Sequence, residues 1–412
     1  MSAVVHARVP DAPPRATHRR AFGLLFLCLM CIGMGQSMLF SILPPAARDL
    51  GISPFQISTI FATSASIWVF VSPWWGRRSD VWGRRPVILT GLLGYALSMA
   101  LLASAIVIGQ AHLLAAMVVY PLMIASRSMF ALLGSGTGPA AQAYVADRTR
   151  IAERAAAVAF LSAGMGLGET VGPGVGAALA TVGLTAPIYL AAALAVASAG
   201  IVWWRLPEEG TPHASAAPPA RLRVRDPRVT PFLLVGGALQ AVRATTTITL
   251  SLFLQDTLAL GATETVRHTG VGFMTVAVSG LFAQLVLVQR LQPSSRTMMR
   301  AGAPLMLAAF TGLVFAHGFA LDLVALAALG LGMGLIRPGS AAGASVSVEP
   351  EEQGGVAGLL GGVTVLGNVF GPMLGTSLYQ LAPIAPYVLN AVLMAMVVVF
   401  VLRSRRLRLL RA

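Results

Sequence analysis

"GETVGPGVG", residues 168–176, lies inside a long apolar run and sets one carboxylate, Glu169, beside Pro173 and a row of glycines. Gly164, Gly168, Gly172 and Gly176 are four apart, so in a helix they line one face. Such a strip lets a neighbouring backbone approach closely in lipid, where packing rather than hydrophobic burial holds helices together. Pro173 has no N–H, so the carbonyl of Glu169, four residues back, loses its helical partner. A polar side chain at an under-satisfied stretch of backbone is tolerated in a bilayer only where it faces protein or a watery cavity.

The stretch has a second copy. Residues 138–176 align without a gap to residues 337–375 at a constant offset of 199. Pro139 meets Pro338 and Glu153 meets Glu352. Gly168, Gly172, Pro173 and Gly176 meet Gly367, Gly371, Pro372 and Gly375. Asn368 then stands where Glu169 does. Duplicated halves around a central site are the expected layout of a membrane carrier.

The rest of the chain fits that layout. It has 412 residues, 56% hydrophobic and 11% charged, against roughly 25% charged in a soluble domain. So few charges cannot cover a globule in water. Runs long enough to cross a bilayer, about 20 residues, lie near 22–44, 57–75, 86–108, 113–140, 153–182, 185–204, 231–254, 270–289, 301–318, 322–347, 354–380 and 385–402. No cleavable signal is expected: residues 1–20 are polar, and the first apolar run is long enough to be a retained span. The predicted fold is an all-α membrane protein of twelve transmembrane helices in two pseudo-symmetric six-helix bundles. Its expected parts are a tail 1–20, a bundle 21–204, a polar linker 205–230, a bundle 231–402 and a basic tail 403–412.

All 29 basic residues are arginine. With the N-terminus inside, 24 fall in cytoplasmic segments and 2, Arg48 and Arg267, outside. That asymmetry places both termini in the cytoplasm. It also argues against nucleic acid as a partner, because the charge is scattered over loops rather than gathered on one face. Arg127, Arg243 and Arg337 remain within spans. Cys28 and Cys31, one helical turn apart in an apolar run, read as small buried residues, and no thiol or histidine nearby completes a metal site. His112 and His317 read as surface residues of outside turns. The six tryptophans read as an aromatic belt near span ends. No G-x-x-x-x-G-K-[ST] occurs, so no nucleotide or other cofactor is expected and a proton gradient is the expected energy source.

"GRRSDVWGRRP" (76–86), after the second span, resembles the loop signature between helices 2 and 3 of the major facilitator superfamily. "RSMFALLGSG" (127–136) resembles the arginine-bearing helix 4 motif of its proton-coupled members, and "GETVGPGVG" resembles their helix 5 antiporter motif. The closest resemblance is to the twelve-span drug:proton antiporters of the tetracycline-efflux type. Three departures stand out. Val81 replaces the usual basic residue after the loop aspartate, the second-half loop "QRLQPSSRTMMR" (289–300) has no acid, and the first span has none either.

The resemblance implies alternating access, with proton antiport exporting small amphipathic or lipophilic compounds from a bacterial cytoplasmic membrane. An importer, facilitator or metabolite carrier on the same fold is the alternative. The expected partners are substrate, protons and lipid, for a chain acting as a monomer. Glu169 is costly in hydrocarbon, and two readings stand: a proton-carrying carboxyl, or one tied permanently to a helix partner. A pair with Arg127, which cannot lose its proton, is one such tie. Arg243 meets either a substrate anion or a structural partner. Gln36 and Asn368 complete the candidate central set.

The resemblance further implies that Asp80, Arg84 and Asp147 form a charge cluster on helix 11 that holds the outward-open state. Arg85 is counted with that switch. Gly76 and Gly83 are expected to permit the turn, and Pro86 to start the third helix. The glycine–proline stretches, including Gly371 and Pro372, are expected to seal a kinked helix pair between the halves.

Overall fold

A computed structural model describes residues 15–208, 226–316, 318–349 and 352–404. His317, most of the linker and most of both tails lie outside the described residues. No strand occurs among the described residues. The helices are α1 Arg15–Asp49, α2 Pro54–Trp82, α3 Arg84–Gln110, and α4 Ala116–Gly134, which runs on as Thr137–Asp147. Next come α5 Ile151–Leu179, α6 Ala186–Arg205, α7 Thr230–Thr257, and α8 Ala262–Phe282, which continues through a π-helical segment Ala283–Val288 to Leu291. The last four are α9 Ser295–Phe315, α10 Phe319–Val346, α11 Gln353–Leu381 and α12 Ala385–Arg403. Among the described residues, eleven are long and apolar enough to cross a membrane, and α5, of 29 residues, is the twelfth long helix.

Several helices outrun their expected spans. The apolar run 57–75 becomes a helix over Pro54–Trp82. Backbone hydrogen bonding continues through polar residues beyond the hydrocarbon, so hydropathy marks the bilayer and not the helix. The start of α2 is set by a capping box: Ser53 Oγ accepts from the Gln56 N–H (3.3 Å), and the Gln56 side chain accepts from the Ser53 N–H (2.9 Å). The junction of α2 and α3 turns at Gly83, whose φ of 94° suits glycine. Gly76 is no part of that turn. It sits inside α2 with open space beside it. Pro86 likewise falls two residues into α3, which begins at Arg84.

The halves repeat each other's packing. α1 packs on α5, and α7 on α11. α3 packs on α4 and α6, and α9 on α10 and α12. The glycine strip of α5 explains the first of these pairs. A Cβ on Gly168 would lie 2.0 Å from the Met30 carbonyl oxygen, and one on Gly172 would lie 2.4 Å from that of Met34. Gly33 answers from α1, where a Cβ would lie 2.3 Å from the Met165 carbonyl oxygen. In the second half Gly371 packs on Ala244, and Gly375 on Thr245. The glycines of both strips therefore bind a helix of their own half. The face beside the α5 strip makes the crossing contact: Pro173 and Ala177 meet Gly270, and Gly174 meets Met274, on α8. Pro173 and Pro372 lie inside helices that run unbroken.

The halves join near the Asp49 end of α1. There Ser251 Oγ donates to the Ser41 carbonyl (3.2 Å), Thr376 Oγ1 donates to Ser58 Oγ (2.9 Å), and Arg48 pairs with Asp256. Among the described residues every hydrogen bond between the halves lies at that end, so the halves are tied at the Asp49 end and a cleft between them opens toward the Trp82 end.

Candidate functional site

Glu169 is exposed on α5 and belongs to none of the described ion pairs, which join Arg48, Arg84 and Arg228 to acids. Arg243, on α7 in the other half, lies within electrostatic range of it without a hydrogen bond. The glycine strip decides this orientation. With Gly168 and Gly172 pressed to α1, Glu169 turns about 100° away from that contact.

Arg243 is oriented by two amides. Its Nε donates to Gln240 Oε1 (3.2 Å) and one terminal nitrogen to Asn368 Oδ1 (3.0 Å). The same Asn368 oxygen accepts from Gln240 Nε2 (2.8 Å). Arg337, exposed on α10, also lies within electrostatic range of Arg243. Sequence reading missed Gln240. The signal was present in its spacing, one helical turn before Arg243.

Arg127 does not pair with Glu169. It is 5% exposed inside the first bundle and donates to Gln36 Oε1 (3.0 Å). Its guanidinium carbon stands 5.7 Å from the Phe61 ring and 5.8 Å from the Phe130 ring, so aromatic faces supply the rest of its surroundings. Nε and Nη1 are buried without a protein partner. The α1 helix, packed on α5, presents Gln36 to this guanidinium.

The polar centre is pseudo-symmetric in place but not in charge. Glu169 and Asn368 hold equivalent positions on α5 and α11. Gln36 and Arg243 hold equivalent positions on α1 and α7, because the Met34 and Ala241 carbonyls face Gly172 and Gly371. At these positions one half carries an amide and an acid, unbonded to each other, and the other a guanidinium bonded to an amide.

At the Trp82 end, Arg84 binds Asp80 (2.5 Å), Asp147 (3.2 Å) and Ser79 Oγ (2.7 Å). The expected cluster therefore forms, but inside the first half, and none of its bonds reaches α11. Asp80 lies in the last turn of α2. Arg85 donates to the Trp203 carbonyl and stacks over that indole. Arg78 sits over Trp74 and Trp82, whereas Trp68 packs inward on Phe130.

The Asp49 end carries a gate that sequence reading did not single out. Asp256 accepts from Arg48 and from the Tyr379 hydroxyl (2.6 Å). The faint signal was Arg48 itself, one of two arginines on the arginine-poor side. Among the described residues no group of three metal-ligating side chains occurs, and Cys28 and Cys31 are buried free thiols. His112 is exposed in a turn.

Two duplicated six-helix halves around a cleft with buried charge define a secondary membrane carrier. The chain belongs to the Major Facilitator Superfamily, whose sequence pattern matches residues 25–319 and 272–410. It is 26% identical over 380 residues to a Bacillus subtilis multidrug resistance protein 1, covering 90% of this chain and 92% of that one. It is 28% identical over 379 residues to a Vibrio anguillarum class G tetracycline resistance protein, covering 86% and 90%. Among solved structures it resembles an inward-facing, occupied bacterial homologue of the human lysosomal transporter Spinster. The TM-score is 0.69 at 14% identity, covering 94% and 97% of the two chains. The chain is thus a multi-pass membrane transporter, not an enzyme, with relatives named for multidrug and tetracycline resistance.

Proposed function

We propose that the protein exports small amphipathic or lipophilic compounds from the bacterial cytoplasmic membrane by proton antiport, cycling its two halves by alternating access. The observation that carries this reading is Glu169, a carboxyl exposed on α5 beside the glycine strip, outside every described ion pair and within electrostatic range of Arg243 in the other half. A charge there is costly unless paired. Loading a proton on Glu169 removes its charge and so changes the attraction between the halves. No metal or organic cofactor is needed, because the gradient supplies the work. The arginine-rich Trp82 end faces the cytoplasm by the positive-inside rule, which makes the described state inward-open and both termini cytoplasmic.

The test is exchange in proteoliposomes under an imposed pH gradient. Substrate added to the gradient should drive proton flux, and Glu169→Gln should abolish uphill transport while substrate still binds. Gradient-driven accumulation at the normal rate in Glu169→Gln would remove Glu169 as the coupling acid. The second reading, a facilitator or importer, is favoured by the absence of an acid from the apolar run of α1; flux indifferent to the gradient would select it.

A further inference from the structure

Arg127 is a buried cation surrounded by more donors than acceptors. It lies on α4, 5% exposed, and its described side-chain hydrogen bond runs to Gln36 Oε1 on α1 (3.0 Å). That bond orients the amide: the oxygen faces the guanidinium, so the NH₂ turns away from it. Arg127 Nε, Arg127 Nη1 and Gln36 Nε2 are all buried donors without a protein acceptor. The hydroxyls around them already give their protons to carbonyls, Ser126 to Leu122 (2.6 Å), Ser64 to Arg127 itself (3.1 Å) and Tyr95 to Ile32 (3.4 Å). None of the described ion pairs includes Arg127. The Phe61 and Phe130 rings near the guanidinium contribute less than a buried charge costs.

Three buried donors on two bonded side chains, one full positive charge and no acid bonded to it make a site for a negative ligand. We propose that a small monovalent anion of the chloride class binds between Arg127 and Gln36, neutralising the guanidinium and tying α1 to α4. The surroundings select that class. Water accepts hydrogen bonds but leaves the charge uncompensated. A divalent oxyanion loses far more hydration on burial than one guanidinium returns. A bulky substrate is kept out by the wall, where Phe61 and Phe130 are buried and Trp68 packs on Phe130. A halide is compact, sheds its water at lower cost and accepts from several N–H groups at once. Binding there requires neither Glu169 nor a proton gradient, so it stands apart from the coupling chemistry.

Melting of the full chain in detergent tests this, in sodium chloride, bromide or nitrate against sodium gluconate at constant pH and ionic strength. Gluconate is too bulky for the site and serves as the blank. Chloride at about ten times its Kd should raise the melting temperature by about 1–3 °C, along a curve that saturates. Arg127→Met should abolish that increment while melting near the native chain in gluconate. Gln36→Ala should raise the chloride concentration needed by about tenfold. Arg127→Lys, which keeps the charge without the planar fork, should retain a weaker increment and guards against misfolding in the Met variant. In bromide-soaked crystals the anomalous signal should lie against the Arg127 nitrogens. Equal melting of the native chain in chloride and gluconate overturns the proposal. An undiminished chloride increment in Arg127→Met does the same, since the ion would then bind elsewhere. Bromide signal absent from Arg127 would assign the three donors to water and likewise sink it.

Discussion

Arg48 at the end of α1 and Asp256 at the end of α7, 208 residues apart in the chain, meet through two hydrogen bonds of 2.6 and 3.2 Å. Tyr379 of α11 adds a third bond to the same carboxylate. The bonds tie the first helix of one half to the first helix of the other and close the cleft at one end.

Opening that end must break this contact. Both side chains are about one-third exposed, so the pair contributes less than about 1 kcal/mol. Asp256→Asn should therefore shift the inward-to-outward ratio by about three- to fivefold toward outward-open. Spin-label distances between the Asp49 and Thr257 ends would record it. An unchanged distance distribution would show that the Ser251–Ser41 and Thr376–Ser58 bonds and the apolar packing between the halves hold that end without the pair.

The α1–α5 contact depends on missing side chains. A Cβ at Gly168 would lie 2.0 Å from the Met30 carbonyl oxygen and 2.7 Å from the Met34 nitrogen, both backbone atoms. Gly168→Leu should cost about 1–3 kcal/mol or more through overpacking. Gly166→Ala meets nothing within 4 Å and should leave stability unchanged or raise it by about 0.5–1 kcal/mol, since alanine is the better helix former. Melting in detergent separates the two.

Gln36 and Arg127 should respond unequally. Gln36→Ala leaves a buried guanidinium with no hydrogen-bonded side-chain partner and should cost about 1–3 kcal/mol. Arg127→Met removes the buried charge itself and should be near neutral or stabilising, while transport falls if the charge serves the cycle. Melting paired with flux reads both. Equal destabilisation by the two would mean the Arg127–Gln36 bond is not what holds that site.

Outside the membrane, Arg228 binds Asp226 (2.9 Å) and Glu352 (2.9 Å), fixing the start of α7 to the start of α11. The hydrogen bonds from Arg228, then that from the Glu349 N–H, hold the Glu352 carboxyl below its ordinary value of 4.5, and Arg228 is raised by its hydrogen bonds to Asp226 and then to Glu352. A depressed carboxyl stabilises the folded state above its unfolded pKa, and that contribution is lost as pH falls through the folded pKa. The melting temperature of the native chain should approach that of Glu352→Gln as pH drops below about 4.5. A constant gap down to pH ~3 would show that Glu352 does not titrate against Arg228.

The architecture was legible in the sequence because its causes are local. Hydropathy places apolar runs, a bilayer turns them into helices, and the offset of 199 pairs the halves. The loop at residues 76–86 announced the Arg84 cluster, since its members are close in the chain or on the adjoining α4. Gly83 was readable from its residue type, whereas Gly76 was not: a glycine in a motif carries no mark of whether it turns or sits in a helix.

Tertiary structure alone decided which charges meet. Glu169 could turn to α4 or to the cleft with the same spacing. The choice follows from which helix fills the Gly168–Gly172 groove, and that helix is α1. Once α1 lies there, Arg127 is left to Gln36, and Glu169 stays exposed within electrostatic range of Arg243 in the other half. The gate of Arg48, Asp256 and Tyr379 was equally hidden, because three residues on three helices form a site only after both bundles have packed. Periodicity along one helix records which face is buried, but not what is buried against it.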